Sequence, residues 1–172
     1  DCLEAVHGFR YWDGRSILGF VDGTENPIGR ERRFFAEVGD EDPVYKGGSY
    51  LFVQKYLHDM KSWEALTTEE QEKAFGRYKM SDVEMPDEVK PDNSHSALAG
   101  VEDEDGNDLK IVRDNMPFGH PSKGEAGTYF ISYANTFTTT RKMLERMFIG
   151  VPPGNHDRIL DFSTAKTGTL FF

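Results

Sequence analysis

Along residues 49 to 57, SYLFVQKYL, apolar and polar positions alternate, and that period of two predicts a strand. HDMKSWEAL follows and predicts a short helix. In TTEEQEKAFGRYKM a threonine precedes a glutamate at the offset of a capping box, which starts a second helix. SDVEMPDEVKPDNSH then reads as an acidic, proline-bearing loop. Residues 96 to 113 predict a hairpin, with SALAGVED leading out, EDGND turning and LKIVR returning as a strand. GTYFISYA, residues 127 to 134, has strong β-propensity. In FTTTRKMLERMFIG the residues Met143, Leu144, Met147 and Phe148 are spaced for one helix face, and Gly150 marks its end. VPPGNHDRILDFSTAKTGTLFF closes the chain with a helical turn and an apolar tail, and residues 1 to 30 read as a glycine-rich loop. This order predicts an α+β fold, an antiparallel sheet with helices on one side, in a ferredoxin-like split βαβ layout.

Composition narrows the partners. A chain of 172 residues suits one domain, or one with an insertion. Its 13 phenylalanines point to an aromatic-rich core. The formal charge of −10, with no Lys/Arg run of five, repels nucleic acid and anionic membranes, so neither is expected as a partner. Cys2 is the one cysteine, which excludes a disulfide within the chain and a cysteine zinc site, and suggests a reducing, cytoplasmic compartment. No apolar run approaches the roughly 18 residues of a membrane span, and no signal-peptide pattern opens the chain. DCLEAVHGFRYWDG has no initiator Met and reads like the middle of a protein, so a further N-terminal part is expected.

Several chemistries drop out. There is no G-x-S-x-G, no phosphate-binding P-loop and no H-E-x-x-H, and Cys2 has no nearby histidine to activate it. EDEDGND hints at a calcium loop but fails the register, because Val101 and Val112 would fall at the first and twelfth ligand positions. The five histidines never pair at metal-ligand spacing. A lone histidine still suffices for haem, whose iron needs one protein atom. His95, between a polar PDNS loop and an apolar segment expected to be a strand, has the best context, although an ordinary surface or core histidine fits the same pattern. Arg113 ends LKIVR, where it either snorkels from an apolar strand or holds an anion in a pocket. Asp22 in GFVDGTENP either caps a turn or is held among apolar residues to handle protons.

Taken together, GFVDGTENP, KPDNSH, KIVRDNMPFG, GTYFISYA, MLERMFIG and HDRILDFSTAKTGTLFF, in this order, resemble the C-terminal half of the dye-decolourising (DyP-type) haem peroxidases, in particular the compact bacterial subfamily. The resemblance spans essentially the whole chain. It implies haem b, with His95 as the proximal iron ligand and Asp161 as the acid bonding that histidine from behind. Asp22 would be the distal acid, with Arg113 and Asn115 beside it. Phe130, and with it Phe148, would line the haem face, and Thr24 and Glu25 would meet the haem propionates or the access channel. The implied activity is reduction of hydrogen peroxide with one-electron oxidation of dyes, phenols or other organic donors. The alternatives are a haem-handling protein with little turnover, or an acidic interaction domain that kept the fold without haem. A carboxylate stays ionised at lower pH than an imidazole stays neutral, so a mildly acidic optimum is expected. Trp12, Trp63 and several tyrosines could relay electrons outward. Members usually have two ferredoxin-like domains. Residues 1–172 would be the second, with an N-terminal half as partner. A homo-oligomer, and a place in the cytoplasm or inside a protein compartment, follow by analogy.

Overall fold

A computed structural model describes residues 5–172, so Cys2 lies outside the described residues. Four long or paired runs build one antiparallel sheet. They are β1 (Tyr50–His58), β4 (Val112–His120), β5 (Glu125–Ala134) and, along the free edge of β1, β6 (Ser163–Ala165) and β7 (Thr169–Phe171). β6 pairs with residues 56 to 58 of β1, and β7 with residues 51 to 53, so the two short strands share one rank. The spatial order β4-β5-β1-β6 places the fourth rank beside the first, then the third, then the second. That is the ferredoxin-like arrangement the order of elements predicts.

Alternation decides what each face carries. Gln54, Tyr56 and His58 lie on one face of β1. The register sets Gln54 opposite Phe130 and Tyr56 opposite Thr128, then Phe130 opposite Asn115 and Ser132 opposite Arg113. The other face carries Leu51, Val53, Tyr129 and Ile131, none of them fully buried. Tyr133 and Met116, on the same face, are 40% exposed.

Helix α5 (Phe137–Phe148) and the short α4 (His95–Ala99) pack against each other. Helix α3 (Thr68–Phe75) has the predicted capping box, with Thr67 Oγ1 accepting from Glu70 N and the Glu70 carboxylate accepting from Thr67 N at 2.8 Å. It stops at Gly76, whose φ of 87° is the left-handed conformation of a helix end. α2 (Met60–Glu64) precedes it, and α1 (Glu31–Ala36), β2 (Val101–Glu102) and β3 (Asp108–Leu109) complete the set. A buried apolar cluster joins Leu18 and Phe20 of the first loop to Trp63, Ala74 and Ile159. Within it Phe20 stacks on Phe75, with ring centres 4.1 Å apart, and Trp63 Nε1 donates to Leu18 O.

Two expected elements differ. The outgoing arm of the 96 to 113 hairpin is helix: α4 starts after Ser94, and SALA supplies good helix formers. Only Val101 with Leu109 and Glu102 with Asp108 pair across the acidic turn. The returning strand does not end at Arg113. Arg113 is the second residue of the nine-residue β4, which runs on through Pro117. A proline cannot donate to a ladder, but its carbonyl accepts from Phe9 N, so the incoming chain lies along this edge.

Candidate active site

A cavity of about 440 Å³ lies between the sheet, α4, α5 and the first loop. Its walls are largely apolar, including Leu18, Ile111, Phe130, Met143, Leu144 and Met147. This size and lining suit a small-molecule or cofactor site. Three polar groupings break the apolar wall.

The first is Asp22 with its two donors. The strand period puts Arg113 and Asn115 on the same face of β4. Arg113 Nη1 donates to Asp22 Oδ1 at 3.2 Å and Asn115 Nδ2 donates to the same oxygen at 2.8 Å. Oδ2 has no hydrogen-bond partner among the described residues. The Asp22 side chain is only 14% exposed. Its loop is fastened to β4 by Asn26, whose amide brackets Arg113: Nδ2 donates to Arg113 O at 2.7 Å, and Oδ1 accepts from Arg113 N at 2.9 Å. GFVDGTENP thus delivers a carboxylate and, four residues on, the amide that fixes the strand beneath it.

The second grouping is His95, the first residue of α4. Its Nδ1 lies 2.7 Å from Asp157 Oδ2. An ionised carboxylate only accepts, so Nδ1 carries a proton, and in the neutral ring the lone pair is on Nε2. Nε2 has no hydrogen-bond partner among the described residues. Asp157 is fully buried, and its Oδ1 accepts from Ile159 N at 2.9 Å. Asn93 O accepts from Arg158 N, so the PDNSH and HDRILD segments are joined by backbone as well.

The third grouping was not anticipated from the sequence. His58 is held between hydroxyls, Nδ1 at 2.8 Å from Ser163 Oγ and Nε2 at 2.8 Å from Thr128 Oγ1. Burial pushes its pKa down to about 4. Tyr56 donates to Gln54 Oε1 at 2.5 Å. Burial, and then the charge of Asp157, hold its phenol well above the ordinary value. The signal was present in SYLFVQKYLH, where alternation sets Gln54, Tyr56 and His58 on the same face as the buried Phe52.

Two expectations are corrected here. The acid behind His95 is Asp157, not Asp161. Asp161 sits four residues later, at the end of a 3-10 turn, and accepts from His156 and Arg158 at the surface. Asp157 precedes that turn and caps it, which turns its side chain inward. Phe148 does not line the cavity. It is the residue after Met147 on α5, about 100° further round the helix, and is 43% exposed. Phe130 does line the cavity, and so do Thr24 and Glu25. The polar atoms of those last two are turned to Asp82 and Arg77 respectively.

The donor set fits haem. No group of three or more His, Cys, Asp or Glu that could hold a bare metal ion occurs among the described residues. One histidine with a free Nε2 suits an iron that brings its own four nitrogens. The hydroxyl oxygens of Ser16 and Ser96, both on the cavity wall, are buried without partners among the described residues. Buried polar atoms seldom stay unpaired, so they suit a ligand with polar edges.

Fold and cavity together define an α+β domain that presents one histidine and one guarded carboxylate in a largely apolar cavity. Residues 13–172 match the family described as Dyp-type peroxidase, C-terminal. The Dye-decolorizing peroxidase of Rhodococcus erythropolis is 57% identical over 170 residues, covering 99% of this chain and 50% of that protein. A DypB variant from Rhodococcus jostii RHA1 in complex with heme superposes with a TM-score of 0.95 at 56% identity, over 98% of this chain and 55% of that one. The encapsulated DyP-type peroxidase from Mycobacterium smegmatis gives a TM-score of 0.94 at 60% identity, over 98% and 55%. The chain belongs to the dye-decolourising peroxidase family and corresponds to its C-terminal half. It spans about half the length of the curated relatives it matches.

Proposed function

We propose that this chain is the haem-binding part of a peroxidase that reduces hydrogen peroxide and oxidises organic donors, such as dyes or phenols, one electron at a time. The observation that carries this reading is a single cavity holding both His95, backed by Asp157, and Asp22 with its two donors. The heme complex of the Rhodococcus jostii relative supports the cofactor.

His95 Nε2 would hold the haem iron. Asp157 holds the Nδ1 proton, which makes the imidazole more basic and a stronger electron donor. When bound, haem supplies the iron that binds peroxide and the electrons that split its O–O bond. The chain handles the proton. Asp22 takes it from one oxygen of hydrogen peroxide and returns it to the other, directly or through one water. Asn115 and Arg113 hold Oδ1, so Oδ2 faces the reacting proton. The Arg113 guanidinium also stabilises negative charge on the breaking bond. Each peroxide takes up two electrons and two protons to give two waters. The electrons come singly from two donor molecules.

A visible spectrum before and after stoichiometric hydrogen peroxide tests the reading. The expected result is a Soret band that changes within seconds. Asp22→Asn and Arg113→Leu should keep the Soret band and slow its change by about 100-fold or more. A Soret band that peroxide leaves unaltered in the unsubstituted protein would reduce the function to haem handling, and no band after haem addition would leave a haem-free domain. An N-terminal half as partner, homo-oligomerisation and a cytoplasmic place inside a protein compartment complete the proposal. The encapsulated relative supports the last. No helix among the described residues is long and apolar enough to cross a membrane.

A further inference from the structure

The loop that carries Asp22 has no helix or long strand to hold it, and Gly19 and Gly23 within it adopt positive φ. Asn26 fastens it to β4 on one side. On the other side it meets the turn of residues 77–84. That turn is a small closed unit: Arg77 and Glu84 pair as an isolated bridge, Val83 O accepts from Tyr78 N, and Tyr78 O accepts from Asp82 N.

Arg77 and Asp82 form the contact. Arg77, with 9% of its side chain exposed, donates through Nη2 to Glu25 Oε1 at 2.6 Å and through Nη1 to Asp82 O at 2.7 Å. Asp82 Oδ2 accepts from Thr24 Oγ1 at 2.6 Å. Its other oxygen is buried with no hydrogen-bond partner among the described residues, 3.8 Å from Arg77 Nη1. Asp82 also has φ of 58°, a conformation strained for any residue with a Cβ and most easily filled by glycine. The backbone would be more relaxed with glycine, but glycine would leave Thr24 without its acceptor. At the near end of the loop, Arg15 Nη1 donates to Lys79 O of the same turn at 2.6 Å and to Gly19 O at 3.1 Å.

We infer that Asp82 is a positioning residue for Asp22. With Arg77 it grips Thr24 and Glu25, two and three residues beyond Asp22 across the Gly23 pivot, and so keeps the carboxylate within reach of Arg113 and Asn115. Thr24 and Glu25 therefore act on the pocket through this clasp. The inference rests on the peroxidase reading, because only proton transfer makes the placement of Asp22 matter for rate.

Thr24→Val and Asp82→Gly test it in the haem-loaded protein. The first removes the hydroxyl, and the second removes the carboxylate while relieving the backbone. Each should slow the reaction with hydrogen peroxide by about tenfold or more, since small misplacements near a reacting centre are costly. Each should also change its pH profile and weaken fluoride binding to the ferric protein, which depends on hydrogen bonding in the same pocket. Haem content and melting temperature should stay as in the unsubstituted protein. Asp82→Asn keeps an acceptor and tolerates the same φ, so it should recover most of the rate. The double variant Thr24→Val with Asp82→Gly should be no slower than the worse single one. Rates within twofold of the unsubstituted protein for both single variants would overturn the clasp. If the unsubstituted protein does not react with peroxide, the peroxidase reading fails by itself. Fluoride then decides: affinity unchanged in Thr24→Val and Asp82→Gly, yet altered in Asp22→Asn, would overturn the clasp too.

Discussion

The bond between His95 and Asp157 separates two acids that the sequence makes look alike. HDRILD offers an aspartate before the turn and one at its end. The one that caps the turn is drawn inside, while the other pairs with His156 and Arg158 in solvent. Asp157→Asn keeps the shape but removes the charge, so it should lower haem affinity or the peroxide rate by about 10- to 100-fold. Asp161→Asn should leave both within about twofold, because exposed ion pairs contribute little. Titrating haem into the two variants and timing the Soret change distinguishes them. Asp22, His95, Arg113 and Asn115, which the fold brings to one cavity, were singled out by the family resemblance of the segments around them, since each alone also fits an ordinary structural role. Asp157 and His58 were not, since a cap and a buried polar residue look ordinary until the register is known. His58 also sets a pH dependence. Its folded pKa of about 4 lies below the ordinary value of 6.5, so the unfolded chain binds more protons between those limits. Stability should therefore be fully present above pH about 6.5 and fall by roughly 3 kcal/mol as pH drops to 4. Denaturant melts across that range should show the slope, and His58→Gln should flatten it.

Among the elements, those with strong local signals came out as expected: the alternating β1, the capping box of α3, and α5 with its methionine face. β4 was hidden because Asp114, Asn115, Pro117 and Gly119 have poor strand propensity, and tertiary pairing with β5 overrides it. The outgoing arm of the hairpin was misread because four small or apolar residues fit a strand or a helix equally well over so short a span. Helix α3 ends close against α4. A Cβ on Gly76 would lie 2.1 Å from Ser96 Oγ and 2.7 Å from Ser94 Oγ, and φ there is 87°. Gly76→Ala should cost about 1–3 kcal/mol. Since Ser94 and Ser96 flank His95, haem should also dissociate faster than from the unsubstituted protein. Thermal melts with a haem-transfer assay would detect both effects.

At the scale of the molecule, the formal charge of −10 governs who approaches. On the proposed peroxidase reading, anionic donors would be repelled and cationic donors attracted, with salt screening both. Raising ionic strength from 0.01 to about 0.2 M should speed steady-state oxidation of an anionic dye and slow that of a cationic one, with little change for a neutral phenol. Reversed slopes, with the anionic dye slowed and the cationic one sped by salt, would mean that the local positive charge of Arg77 and Lys110 on the cavity wall outweighs the global field. The overall fold class was readable from the sequence, since the alternation of strand and helix signals already limited the topology. The cavity was not, because it arises only when the register aligns one face of three strands.

The acidic turn at residues 103–107 lies at the tip of the two-pair hairpin, between the two sets of chemical groups. Before it come Asp22 and His95, and after it Arg113, Asn115 and Asp157. The bonds from Asp22 to Arg113 and Asn115, and from His95 to Asp157, therefore each join one segment to the other. A chain cut at that tip would yield two fragments, neither with a whole pocket, and a haem spectrum would return only when both came together. The hairpin is thus a natural seam for a split reporter whose colour reads out the meeting of two fused proteins.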